Sequence, residues 1–328
     1  MKRIALSLIL ASGLLAQVAS AQSSTPVVGY YKVNVLPGNG SGSAWVSGFV
    51  TKKDFQGAAT SIAPGVTTSQ INVAGTPLAP PYSLHYVEIL SGANAGTILD
   101  IDPAGSNTTS HVTVKGNVAG LGLLGTETFC IRKHATFGSI FKSAAGLVEF
   151  VDLIVVQNSD GTSTAAYWDM TNWINTDDSS IADNEIVYPG QGVSILPAEA
   201  RLVTFGGGDV SYVKLGQTKV PVYASPALNY IGTINPLVNT VAPTALDSTA
   251  TGNYGLKNME AYLDLAVTYT RDGNFASLAS YYTDNTDVFD AGLNVVDNTT
   301  TIFNGTAIEV VPQGDHLVTL PQSFTVAP

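Results

Sequence analysis

Two acidic loops are the first places in this chain where side chains can do chemistry. Asp177, Asp178, Asp183 and Glu185 share one polar stretch, and Asp284, Asp287 and Asp290 share another. Carboxylates gathered on a loop can hold calcium at weak extracellular affinities of about 10⁻⁴–10⁻³ M. These lack the alternating Asp-x-Asp-x-Asp-Gly order of a dedicated loop, so a solvated acidic turn is the simpler reading. Asp177, Asp178 and Asp183 are kept as weak calcium candidates, and no metal is assigned. Two carboxylates facing a sugar also make a glycosidase. That is the remote alternative, because separation across loops cannot be read from spacing. Beside the same loops stand Trp173 and Tyr188, and Phe289 in the second stretch. Such aromatics can stack on sugar rings while nearby Asp and Asn accept hydrogen bonds, so these three are the expected ligand-binding residues.

Other chemical signals are weak. Gly120-Leu121-Gly122-Leu123-Leu124-Gly125 matches the dinucleotide-binding pattern by letter. A polar turn precedes it and a strand follows, so no helix N-terminus receives a pyrophosphate. His85, His111, His134 and His316 sit singly on separate β segments without metal-ligand spacing. Cys130 is the one cysteine, which excludes an intramolecular disulfide, and Phe129-Cys130-Ile131 reads as a small buried hydrophobe. No nucleophile elbow, P-loop or His-Glu-x-x-His is present. No catalytic residue and no cofactor are assigned.

The elements that carry these residues are written twice. Asp152 matches Asp264, and Asp160-Gly161 matches Asp272-Gly273, at an offset of 112. Tyr167-Trp168 is aligned with Tyr281-Tyr282 at 114, and Gly190, Pro197 and Leu202–Thr204 with Gly305, Pro312 and Leu317–Thr319 at 115. Asp-Gly between apolar runs is a hairpin signal, since a type I′ turn needs positive φ at both centres. Val193-Ser194-Ile195 and Ile308-Glu309-Val310 alternate as strands that Pro197 and Pro312 stop. The period of two predicts Val193, Ile195, Ile308 and Val310 inside, with Ser194 and Glu309 outside. Helix is confined to one or two turns at 139–145 and 256–263.

The expected fold is all-β: duplicated antiparallel sandwich-like units with an inserted small β module and very little helix. The first unit comprises 22–62 plus 147–210, the insert 63–146 and the second unit 211–328. The insert is expected to enter and leave at neighbouring points. Residues 1–21 read as a secretory signal, with Lys2-Arg3, the apolar run 4–18 and Ala19-Ser20-Ala21 before the cut. Removing them takes 328 residues to 307 and the net charge from −11 to −13. That balance excludes nucleic acid as a partner, and no later segment is apolar enough to span a bilayer as a helix. The expected location is secreted or at the cell surface.

Ser91-Gly92…Gly96, Arg132–Phe141 with its Gly138-Ser139-Ile140-Phe141 run, Tyr167-Trp168, Trp173 and Tyr188-Pro189-Gly190-Gln191-Gly192 resemble the secreted β-rich paralogue family of verrucomicrobial type. The resemblance spans about 28–321; the second copy departs from it with Asn304-Gly305-Thr306-Ala307 in place of Pro189–Gly192. It implies export and a β-rich fold, and brings no catalytic residues. The functional expectation is a non-enzymatic structural component of a surface, envelope or matrix. The alternative is a carbohydrate- or polymer-binding module, with extracellular polysaccharide or other surface proteins as partners.

Overall fold

The computed structural model describes residues 30–35, 44–46, 49–142, 146–158, 161–206, 210, 217–224, 227, 229–232, 240–241, 263–272, 275–284, 287–295, 303–304 and 307–320. Residues 1–21, Asp160, Gly273 and the side chain of Ile308 lie outside the described residues. The chain is all-β and antiparallel, with one four-residue helix, Phe137–Ile140, among the described residues. That helix starts two residues before the expected position because Thr136 caps it, accepting from Ser139 N while Ser139 Oγ accepts from Thr136 N.

The repeat is carried by two five-stranded sheets of one topology. The first runs Trp173–Asn175, Ser163–Trp168, Leu153–Gln157, Val193–Leu196, Ala44–Val46. The second runs Val288–Asp290, Phe275–Thr283, Leu265–Asp272, Ala307–Val311, Asn229–Gly232. A two-stranded ribbon accompanies each: Tyr30–Val35 with Arg201–Gly206, and Thr218–Val222 with His316–Leu320. In the first unit, Ile154, Val156, Ala166, Val193 and Ile195 pack against Val35, Val203 and Phe205 of the ribbon and Phe137 and Phe141 of the helical turn.

Register corrects one alignment. Ile154 faces Ala166 in the first hairpin, and its equivalent Ala266 faces Tyr281 in the second. Ala166 therefore corresponds to Tyr281, an offset of 115 rather than 114. The three added residues lie at the hairpin tip. The first ladder ends at Gln157–Ser163, with one further bond from Asn158 N to Thr162 O at 2.8 Å, whereas the second ladder continues to Asp272–Phe275. The expected turn at Asp160-Gly161 falls partly outside the described residues; Gly161 takes φ +82° and its N donates to Asn158 O at 3.1 Å.

The expected alternation also needs one correction. Val193, Ile195 and Val310 are buried, but so is Ser194, at 2% exposure, and Glu309 is half-buried. The reason is a second interface: Ser194 bonds the Tyr230 hydroxyl, and Tyr230 pairs with Glu309 across its own sheet. The two repeats therefore meet through the faces expected to be outside. Burial raises the Glu309 carboxyl pKa.

Between the halves of the first unit lies a six-stranded, curled sheet ordered Ile98–Asp100, His85–Ile89, Thr128–Lys133, Lys53–Ala63, Thr68–Val73, His111–Lys115. Lys53–Ala63 belongs to this sheet and not to the first unit, while Ala135, Phe137, Ile140, Phe141 and Leu147 belong to the first unit's core. Lys53 pairs with Arg132, which places the start and end of the inserted sheet side by side. The long strand is weakly marked in the sequence because its inward positions Phe55, Gly57 and Ala59 include small residues and a bulge at Ala59/Ser61 shifts the alternation.

Candidate functional site

A cleft of about 360 Å³ is lined by all three parts of the fold. The inserted sheet gives Asp100 and Asn94, the first unit gives Gln157 and Tyr188, and the second gives Tyr223 and Tyr230. The Tyr188–Gly192 motif shapes it. Gly190 takes φ +85°, which a side chain would strain, and Gln191 Oε1 accepts from Tyr188 N at 2.9 Å. The turn then pairs with the second unit, Gly192 N donating to Tyr230 O at 2.6 Å and Gly232 N to Gly190 O at 3.0 Å. Gly96 closes the third side, where an added Cβ would lie 2.7 Å from the Gln217 carbonyl oxygen. The sequence motif is thus the joint between the repeats and one wall of the cleft.

At the cleft wall a hydrogen-bonded chain runs Tyr188–Asp100–His134. The Tyr188 hydroxyl donates to Asp100 Oδ2 at 2.8 Å, and His134 Nε2 lies 3.1 Å from Asp100 Oδ1. Tyr86 packs on the His134 ring at 4.7 Å between centroids, and Tyr188 meets it edge-on at 5.0 Å. Burial pushes the Asp100 carboxyl pKa up, but the bonds from His134 and Tyr188 outweigh burial and hold it below its ordinary value. Burial and the Asp100 carboxylate raise the pKa of the Tyr188 phenol. A tyrosine that donates to a settled carboxylate is held protonated, so this chain positions groups rather than generating a nucleophile. Gln157 lines the same cleft, is 5% exposed, and its Nε2 is buried without a hydrogen-bond partner.

The expected ligand-binding residues separate. Tyr188 is in the cleft. Trp173 is not available: it is fully buried, donates from Nε1 to Phe141 O at 3.3 Å, and packs against Trp168 and Phe141. An indole in that position cannot stack on a sugar, which corrects the expectation. Phe289 lies in the second unit, away from the cleft lining, stacked on Tyr282 at 5.2 Å and 14°. Sequence reading missed Tyr223, Tyr230, Gln157 and Asp100, which stand far apart in the chain and carry no shared motif.

The acidic loops cap themselves. Asp178 accepts from Ser180 N at 3.0 Å, Asp183 from Trp173 N at 2.8 Å and Asp284 from Asp287 N at 2.8 Å. Asp177 lies on the same exposed turn, its N donating to Asn175 Oδ1 at 2.9 Å. Among the described residues no three His, Cys, Asp or Glu side chains converge as a metal site. Three histidines instead face single carboxylates: His85 with Asp54 at 3.3 Å, His134 with Asp100, and His316 with Asp264 at 3.0 Å. Burial pushes the Cys130 thiol up to about 11, which makes it inert.

The glycine-rich Gly120–Gly125 loop closes on the chain's own anion. Gly125 N and Thr126 N donate to Glu127 Oε2 at 2.8 and 3.1 Å, and Leu124 N donates to Oε1. Burial raises the Glu127 pKa, but these donors outweigh it and hold the carboxyl below its ordinary value. A depressed folded pKa adds stability above the unfolded pKa and loses it as pH falls through the folded one. Glu127→Gln is therefore expected to be less stable than the parent at neutral pH, with the gap closing in acid. Urea midpoints across pH check this; a gap that widens in acid rules the arrangement out.

The class defined by fold and site is a duplicated all-β protein with an inserted curled sheet and a tyrosine-walled cleft at their junction. Searches of family models, of curated proteins and of solved structures each return no match for this chain.

Proposed function

We propose that this chain is an exported, non-catalytic β-protein of the cell surface, envelope or extracellular matrix that holds a glycan or similar neutral polymer in the Tyr188 cleft. The cleft carries the reading: tyrosine rings beside the unpartnered amide nitrogen of Gln157 suit a sugar face and a sugar hydroxyl. Export rests on residues 1–21 of the sequence, and the surface setting on the resemblance named above. Against glycoside hydrolysis stands the cleft's charge content. Among the described residues lining it, Asp100 is the one carboxylate, and both its oxygens are engaged. Hydrolysis calls for two carboxyl groups flanking the bond.

Binding of neutral oligosaccharides, measured on a glycan array and then by titration calorimetry, tests the proposal. Tyr223→Ala is expected to weaken the best ligand about tenfold, the scale of one lost aromatic contact. No turnover is expected on glycan, ester or peptide panels. Absence of any saccharide ligand, or turnover abolished by Asp100→Asn, would overturn it.

A further inference from the structure

A second pocket, of about 300 Å³, lies where the inserted sheet joins the first unit, on residues the glycan reading leaves unused except His134. Lys52, Lys133 and Lys142 line it, three of the 14 basic residues in a chain of net charge −11. Among the described residues none of the three ammonium groups pairs with a carboxylate. Asp54 also lines the pocket, and its carboxylate is engaged by His85 Nε2 at 3.3 Å. Three exposed lysines therefore border one pocket, where a bound anion would offset their like charge.

The independent observation is His134. Its ring is buried, at 2% exposure, and lines this pocket. Nε2 is taken by Asp100, and Nδ1 is buried with no hydrogen-bond partner. A buried polar atom left unpaired is costly, so a ligand that bonds it gains more than at an already satisfied site. We propose that the pocket binds an oxyanion, a sulfate or phosphate group or the carboxylate of an acidic sugar, held by Lys52, Lys133, Lys142 and His134 Nδ1. With a proton on each nitrogen, the ring donates at Nε2 to Asp100 and at Nδ1 to the ligand. His134 then joins two sites, an anion on one nitrogen and the wall of the Tyr188 cleft on the other.

The test titrates the full chain separately with inorganic sulfate, inorganic phosphate and glucuronate, reading heat and the His134 ring ¹⁵N shifts. Saturable binding that moves the His134 signals is expected. Preference for sulfate or phosphate points to ester groups as the natural source, and preference for glucuronate to uronic acids. Lys133→Met/Lys142→Met removes two exposed charges and keeps their apolar stems. It should weaken every bound anion about tenfold, the scale of a lost charge-assisted contact, with an unchanged circular dichroism spectrum. Neutral oligosaccharide binding should be untouched in this variant, so failure of either site is seen separately. No saturable anion binding by the parent overturns the proposal, as does equal affinity in the lysine variant. Anion saturation with the His134 ¹⁵N shifts unmoved sinks the role of Nδ1.

Discussion

Asp152→Ala is expected to lower the unfolding free energy of the first unit by about 3–5 kcal/mol, the scale for removing one partner of a buried ion pair. The Asp152 carboxyl has no solvent exposure and accepts from Val148 N and Ala198 N, each at 2.8 Å. Arg201 Nε lies 3.2 Å from the same group. Alanine would take the acceptor from the Val148 and Ala198 amides and strand a guanidinium that is 17% exposed. The repeat supplies an internal control. Asp264 is also fully buried, and its partner is His316, at the register position equivalent to Arg201. Asp152→Asn keeps the shape but loses the charge, so it should fall between parent and alanine. Trp45, Trp168 and Trp173 are the chain's three tryptophans and all lie in the first unit, so indole fluorescence in urea reads this unit directly. A midpoint that does not move would show the buried aspartates to be ornamental.

The buried aspartates also show how much of the architecture is legible in the sequence. Asp152 and Asp264 announce the repeat because a fully buried carboxylate tolerates no substitute once its amide donors are fixed. Strand alternation and stop prolines located Val193–Leu196 and Ala307–Val311, and strand pairing there follows the same order in both copies. What stayed hidden depends on a partner surface. Ser194 reads as solvent-facing from its period, and only the second repeat's Tyr230 makes it interior. Trp173 sits among polar residues in the sequence, yet the helical turn Phe137–Ile140 brings Phe137 and Phe141 over it. The cleft is less legible still. Tyr188 stands beside a loop in the sequence, but Asp100 and Tyr223 reach it from 88 residues before and 35 after, and no local pattern encodes that meeting.

The second large effect is expected in the inserted sheet. Glu88 and Arg132 stand on neighbouring strands, with side chains 1% and 4% exposed and Glu88 Oε2 3.0 Å from Arg132 Nε. They occupy the face opposite Val87, Ile89, Phe129 and Ile131, whose side chains form the module's apolar core. Arg132 Nη1 also donates to the Thr51 carbonyl, and Thr51 Oγ1 donates to Lys133 O, so the pair ties the last strand of the insert to the segment leading into it. Arg132→Ala strips that tie and takes the cation from the buried Glu88 carboxylate, which should cost about 3–5 kcal/mol. Glu88→Leu combined with Arg132→Met removes both charges and fills the space with apolar atoms. Such replacements are often neutral or better, so the double variant should recover most of the loss, apart from the unpaired Thr51 carbonyl. The insert has no tryptophan, so amide exchange at Val87 and Ile131 is the appropriate measurement. Faster exchange in the single variant and near-parental exchange in the double one is the expected pattern. If the double variant is as destabilised as the single one, the Thr51 contact is the dominant contribution and the ion pair itself adds little.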